Sequence, residues 1–113
     1  MKQHVDFEEI LNLPDKDKEK IFKYFKPIGM NNFKVNPTAV IDLVSRGLNI
    51  DKMIEILIDN IPRSGCIEDS IDIECDRITN SCLVEYRKSN MEFEDFEENE
   101  LCDALWKAVK NIL

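Results

Sequence analysis

Apolar positions recur at helical spacing up to residue 61, alternate strictly from residue 70 to 93, and return to helical spacing at the end. Asp6 followed by Glu9 has the form of a capping box, and Ile10, Leu11 and Leu13 supply a short apolar side before Pro14 closes the first helix. A cap at Asp15 or Asp17 starts a second helix through Phe25, with Ile21, Phe22, Tyr24 and Phe25 facing inward. Pro27 and Gly29 stop it, and Asn31 and Asn32 continue the loop. The third helix is the best punctuated. Asn36 suits the N-cap and Pro37 the first helical position, with Val40, Ile41, Leu43 and Val44 at helical spacing. Gly47 sits where a left-handed C-cap belongs. Asp51 can cap a fourth helix carrying Met53, Ile54, Ile56, Leu57 and Ile61, which Pro62 ends.

Beyond Ser70 the period is two. Ile71, Ile73 and Cys75 alternate with Asp72, Glu74 and Asp76, and Cys82, Val84 and Tyr86 with Leu83, Glu85 and Arg87. Met91 and Phe93 then alternate with Glu92 and Glu94. Breaks at Thr79-Asn80-Ser81 and Lys88-Ser89-Asn90 divide these into three strands of an antiparallel meander with one wet face. A helical stripe through Ile67, Ile71, Cys75, Ile78, Cys82 and Tyr86 competes, but it leaves Ile73, Val84 and Phe93 outside, so strands are preferred. The chain closes on a helix capped by Asp95 with Glu98, or by Asn99. Leu101, Ala104, Leu105, Ala108, Val109 and Ile112 make its apolar face, and Trp106 is expected in the core or at its rim. Acids crowd its start and Lys107 and Lys110 its end, as the helix dipole favours.

The fold class is therefore α+β: an N-terminal cluster of four short helices, a three-stranded antiparallel meander, and a C-terminal helix packed on the sheet. A length of 113 residues with 43% apolar content suits one domain over 1–113, with residues 1–62 its helical part and 66–113 its βββα part.

Charge adds an address to this outline. The formal charge is −8. Residues 1–60 hold nine bases and ten acids, whereas residues 61–113 hold six bases and thirteen acids. Glu68, Asp69, Asp72, Glu74 and Asp76 form one acidic cluster, and Glu92, Glu94, Asp95, Glu97, Glu98 and Glu100 another. Lys16, Lys18, Lys20, Lys23, Lys26 and Lys34 gather instead around the second helix. The meander predicts Asp72, Glu74, Glu85, Glu92 and Glu94 on one sheet face with Arg87 among them, and Asp95, Glu97 and Glu98 next to it. Such a face steers a basic protein partner. The acid surplus argues against direct binding of nucleic acid and against an anionic membrane surface. No apolar run exceeds three residues, too short for a transmembrane helix or a signal peptide, so a cytoplasmic location is expected.

Candidate chemistry is sparse. Cys66, Cys75, Cys82 and Cys102 lack the C-x-x-C spacing of zinc or redox sites, and a reducing compartment predicts buried free thiols. A four-residue loop over Arg77–Asn80 would set Cys75 opposite Cys82, leaving a disulfide or redox switch as the alternative. His4, the single histidine, falls in a terminus expected to fray, and Gly29, Gly47 and Gly65 are isolated. No enzymatic activity, metal or cofactor is expected.

The helix–Gly–helix stretch from Asn36 to Ile61 has helix-turn-helix form, but its second helix offers Lys52, Glu55, Asp59 and Asn60, a poor set for reading bases. From Asp51 the element order resembles the double-stranded RNA-binding domain. Glu97, Glu98, Asn99 and Glu100 stand where that family clamps phosphate with basic residues. Size, acidity and composition are similar to those of small phage or prophage accessory proteins from AT-rich genomes. The leading expectation is a non-enzymatic interaction or regulatory protein binding a basic partner through its acidic C-terminal half. Its sharper form is a nucleic-acid mimic that inhibits a DNA- or RNA-binding enzyme. The alternative is a homo-oligomeric assembly component using Ile54, Leu57, Ile58 and the Trp106 region, with the oligomeric state left open.

Overall fold

The computed structural model describes residues 2–25, 30–60, 71–87 and 93–113. In chain order the elements are α1 (Phe7–Leu11), α2 (Asp15–Phe22), α3 (Met30–Val35), α4 (Pro37–Gly47), α5 (Ile50–Asp59), β1 (Ile71–Asp76), β2 (Ser81–Arg87), β3 (Phe93–Glu98) and α6 (Leu101–Ile112). The strands form one antiparallel sheet in the order β1-β2-β3. This is the α+β arrangement that the change of period predicts.

Helix α6 holds the two kinds of element together. Cys102, Ala104, Leu105, Trp106, Ala108 and Val109 are all buried, so the helix is apolar around more than one side. It packs against α5 and also against β2 and β3. Val84 and Tyr86 of β2 reach the same buried cluster as Ile56 and Leu57 of α5. The buried Tyr86 hydroxyl donates to the Leu57 carbonyl at 3.1 Å, giving the phenol a partner and satisfying a carbonyl in the last turn of α5.

Several helix boundaries differ from expectation for identifiable reasons. Residues 30–35, expected as loop, form α3, because the Phe33 ring packs tilted on Phe22 with centroids 5.6 Å apart. The Lys18 ammonium also lies over the Phe33 ring, 5.3 Å from its centroid, while its side chain pairs with Asp15. Tertiary packing thus outweighs the weak helix propensity of Asn31 and Asn32. The Asp6–Glu9 capping box does not form. Glu9 turns instead to α6, accepting from Trp106 Nε1 at 3.1 Å and pairing with Lys110. Asn36 caps α4 as expected, accepting from Ala39 N–H, but α5 is capped by Asn49 rather than Asp51. The N-terminal segment is not frayed: His4 bridges to Asn49, and Val5, 1% exposed, donates its N–H to the Leu48 carbonyl.

Gly47 ends α4, but not as a left-handed cap, since no described glycine has positive φ. Its role is steric: a Cβ there would collide with the Phe25 ring. Gly47→Ala should therefore lose stability despite the better helix propensity of alanine. Overpacking costs about 1–3 kcal/mol and propensity returns at most about 1, so thermal unfolding should show a net loss of about 1 kcal/mol.

Candidate functional site

The strand register builds the outer sheet face residue by residue. Asp72 pairs with Glu85, and Glu85 with Asp95, placing three carboxylates in one row across the sheet. The next row is Glu74, Leu83 and Glu97, followed by Asp76 opposite Ser81. Adjacent strands are separated by ~4.8 Å and same-face rows by ~6.8 Å. Among the side chains that the structure describes, none of these six carboxylates takes part in an ion pair, and Arg87, opposite Phe93, holds the next position beyond Glu85 on the same face. Like charges directly opposite one another destabilise a sheet. The arrangement is therefore a local cost to the fold.

The face has a different membership from the one the alternation suggests. Asp72, Glu74 and Glu85 lie on it as expected, and Asp95 and Glu97 join them on exposed strand positions. Glu94 does not. It pairs with Tyr86 on the inward face of the sheet, so the third strand is out of phase with the expected pattern by one residue. The cause is Phe96, which pairs with Val84 and packs against the core, taking the inward role that the sequence pattern assigned to Phe93. Strand β3 continues to Glu98, so α6 starts at Leu101 behind Glu100, not at a cap on Asp95 or Asn99. Glu98 shares the inward face and is committed to an ion pair with Lys107 of α6. Glu92 lies outside the described residues, as do Met91 and the Glu68–Asp69 pair. Asp76, placed in the acidic cluster but not among the candidate site residues, belongs to the face by the same alternation.

The centre of the face is Glu85. Loss of solvent, followed by the charges of Asp95, Asp72 and Glu74, raises its carboxyl pKa above the ordinary value of 4.5. A carboxyl shifted upward in the folded state weakens the fold at neutral pH, and the penalty vanishes as pH falls below its ordinary value. Comparison with protein-family models, curated proteins and solved structures returns no match. Charge distribution and register alone thus carry the functional reading. Among the described residues, no group of three or more histidine, cysteine or carboxylate side chains is placed to hold a metal ion. No described helix is long and apolar enough to cross a membrane.

The hairpin beneath this face is covalently closed. Cys75 and Cys82 sit opposite each other, Cα atoms 4.1 Å apart, and form a disulfide rather than the expected pair of buried thiols. Cys75 is exposed and Cys82 half-buried, so neither serves as a core residue. In the loop, Asp76 accepts the Ile78 N–H at 2.8 Å and Asn80 takes a left-handed conformation with φ 54°, a residue type that tolerates it. Closing so short a loop contributes about 2 kcal/mol through the unfolded chain. Cys75→Ser with Cys82→Ser should remove about that much, and dithiothreitol should lower the thermal midpoint of the wild type but not of this variant. Cys102 is the buried free thiol expected from the sequence, 1% exposed, with burial pushing its pKa up to about 11. Cys66 lies outside the described residues.

The apolar surfaces considered for assembly are largely consumed by the fold. Leu57 is fully buried, Ile54 and Ile58 are partly buried against the core, and Trp106 is 4% exposed with its indole N–H bound to Glu9.

Proposed function

We propose that the protein is a non-enzymatic interaction module whose outer sheet face docks a basic protein partner. The observation that carries this reading is the row Asp72–Glu85–Asp95: three carboxylates in register, without a cation in an ion pair among the described side chains. An arrangement that weakens the fold is more economically explained by a partner's cations than by solubility, which scattered acids would supply without facing one another. Arginine and lysine side chains of the partner would relieve the repulsion on binding, so association would be fast and strongly dependent on salt.

The regular spacing of the rows also favours the nucleic-acid-mimicking form of this reading, in which the basic partner is a DNA- or RNA-binding protein. Carboxylates at repeated ~6.8 Å intervals along a strand would offer that protein a periodic set of anions. A basic DNA-binding protein, titrated with the chain in low and high salt, tests both forms. The expected result is tight binding at low salt, lost as salt rises, and displaced by duplex DNA. Binding that is indifferent to salt would contradict both forms, and binding that duplex DNA fails to displace would contradict the mimic.

A further inference from the structure

We propose that a cavity between α2, α5 and α6 binds a small organic carboxylate with an apolar tail. The cavity has a volume of about 310 Å³, at the small end of the ~300–1,000 Å³ typical of ligand pockets. Ile56, with no exposed surface, Ile112 and Leu113 supply its apolar lining, and Lys20, Lys23, Tyr24 and Asn60 its polar part. It shares no residue with the acidic sheet face, so the inference stands independently of the docking proposal.

The two lysines are placed together by helix geometry. Residues three apart lie on the same side of a helix, and Lys23 continues α2 in helical conformation just past Phe22. Neither forms an ion pair among the described residues, nor do Lys16 and Lys34, whereas Lys2, Lys18, Lys52, Lys107 and Lys110 each have a carboxylate partner. In a chain of charge −8, two ammonium groups beside a cavity with no acid paired to them favour an anionic ligand there.

The third polar group is held in a defined orientation. Asn60 Nδ2 donates to the Ile56 carbonyl at 2.8 Å and to the Tyr24 hydroxyl at 3.0 Å. With its oxygen accepting from Asn60, the Tyr24 hydroxyl keeps its own proton to donate. Two ammonium groups and one phenol O–H can thus hold a carboxylate, each charged bond shorter and stronger than a neutral one. The ligand's tail would lie on the partly exposed Ile112 and Leu113 side chains, which offer nothing to a fully hydrated inorganic anion. This division of the cavity selects an amphiphilic monoanion rather than phosphate.

Titration of the full chain with hexanoate, followed by amide and side-chain NMR, tests the assignment, with hexanol and inorganic phosphate as separate arms. Hexanoate should produce saturable shifts at Tyr24, Ile56, Asn60 and Ile112, and both controls should bind about tenfold or more weakly. Lys20→Gln with Lys23→Gln should weaken hexanoate binding by about tenfold while leaving the thermal midpoint unchanged. Tyr24→Phe provides a second, uncharged test and should weaken hexanoate but not hexanol. No saturable shift at these residues, equal binding of hexanol or phosphate, or hexanoate binding that survives the double lysine substitution would each overturn the proposal.

Discussion

Leu105→Ala is expected to cost about 2–5 kcal/mol, the usual range for emptying a fully buried leucine site. Leu105 has no exposed surface and lies on α6, the helix that packs on α5 and on β2 and β3. A cavity there empties a site in the buried cluster to which α5, α6 and β2 all contribute. Domains of this size are stable by only about 5–15 kcal/mol, so the variant should keep little reserve. The substitution also tests whether the chain unfolds as a unit. Urea denaturation followed by circular dichroism reports mainly the helices, and fluorescence of Trp106, the single tryptophan, reports the α6 core. The two curves should shift together and remain coincident. Separate transitions would mean that the helical part and the βββα part are independent.

Combining Asp72→Asn, Glu85→Gln and Asp95→Asn should move stability and binding in opposite directions. Removing three like charges from one row relieves cross-strand repulsion, so the variant should melt at a higher temperature than wild type at pH 7. The sign with pH follows from Glu85. Its folded-state pKa is raised, so the wild-type penalty is present above that pKa and disappears below the ordinary value of 4.5. The stability advantage of the variant should accordingly shrink as pH falls through that window. Affinity for a basic partner should drop by about tenfold or more at low salt, mostly through slower association. If the row were only a solubilising surface, stability would rise while affinity stayed the same.

How much of this was legible in the chain depends on which force sets each feature. The period-two pattern of Ile71, Ile73, Val84 and Tyr86 placed β1 and β2 correctly, and the Cys75–Cys82 opposition followed from the four residues between the strands. Local chemistry was enough there, because side-chain alternation fixes register wherever one face is buried. The phase of β3 was not legible. Positions 93 and 96 both carry phenylalanine but are three apart, so the pattern alone offers two phases, and only packing of Phe96 against the core decides between them. That one decision moved Glu94 off the outer face, brought Asp95 and Glu97 onto it from the expected helix start, and put Glu98 on the inward face. Helix α3 and the Glu9–Trp106 bond were hidden for the same reason, since their partners are 11 and 97 residues away in sequence. The cavity at Lys20 and Lys23 also needs three helices to exist before it can be seen. The expectation of free thiols at Cys75 and Cys82 rests on an assumed compartment, whereas cross-strand proximity governs the pair.

If one face of the sheet, and not acidity at large, receives a basic partner, side-chain carboxyl 13C resonances will show it directly, because residues on opposite faces of one strand serve as internal controls. An oligolysine peptide should be titrated at low salt and again at about 0.5 M, where charges beyond roughly 4–5 Å are screened. Asp72, Glu74, Glu85, Asp95 and Glu97 should shift together at low salt, Glu94 and Glu98 should stay in place, and high salt should abolish the response. Shifts spread evenly over Glu8, Asp59 and the sheet, or shifts at Glu94 and Glu98 equal to those at Asp95 and Glu97, would contradict a face-specific site.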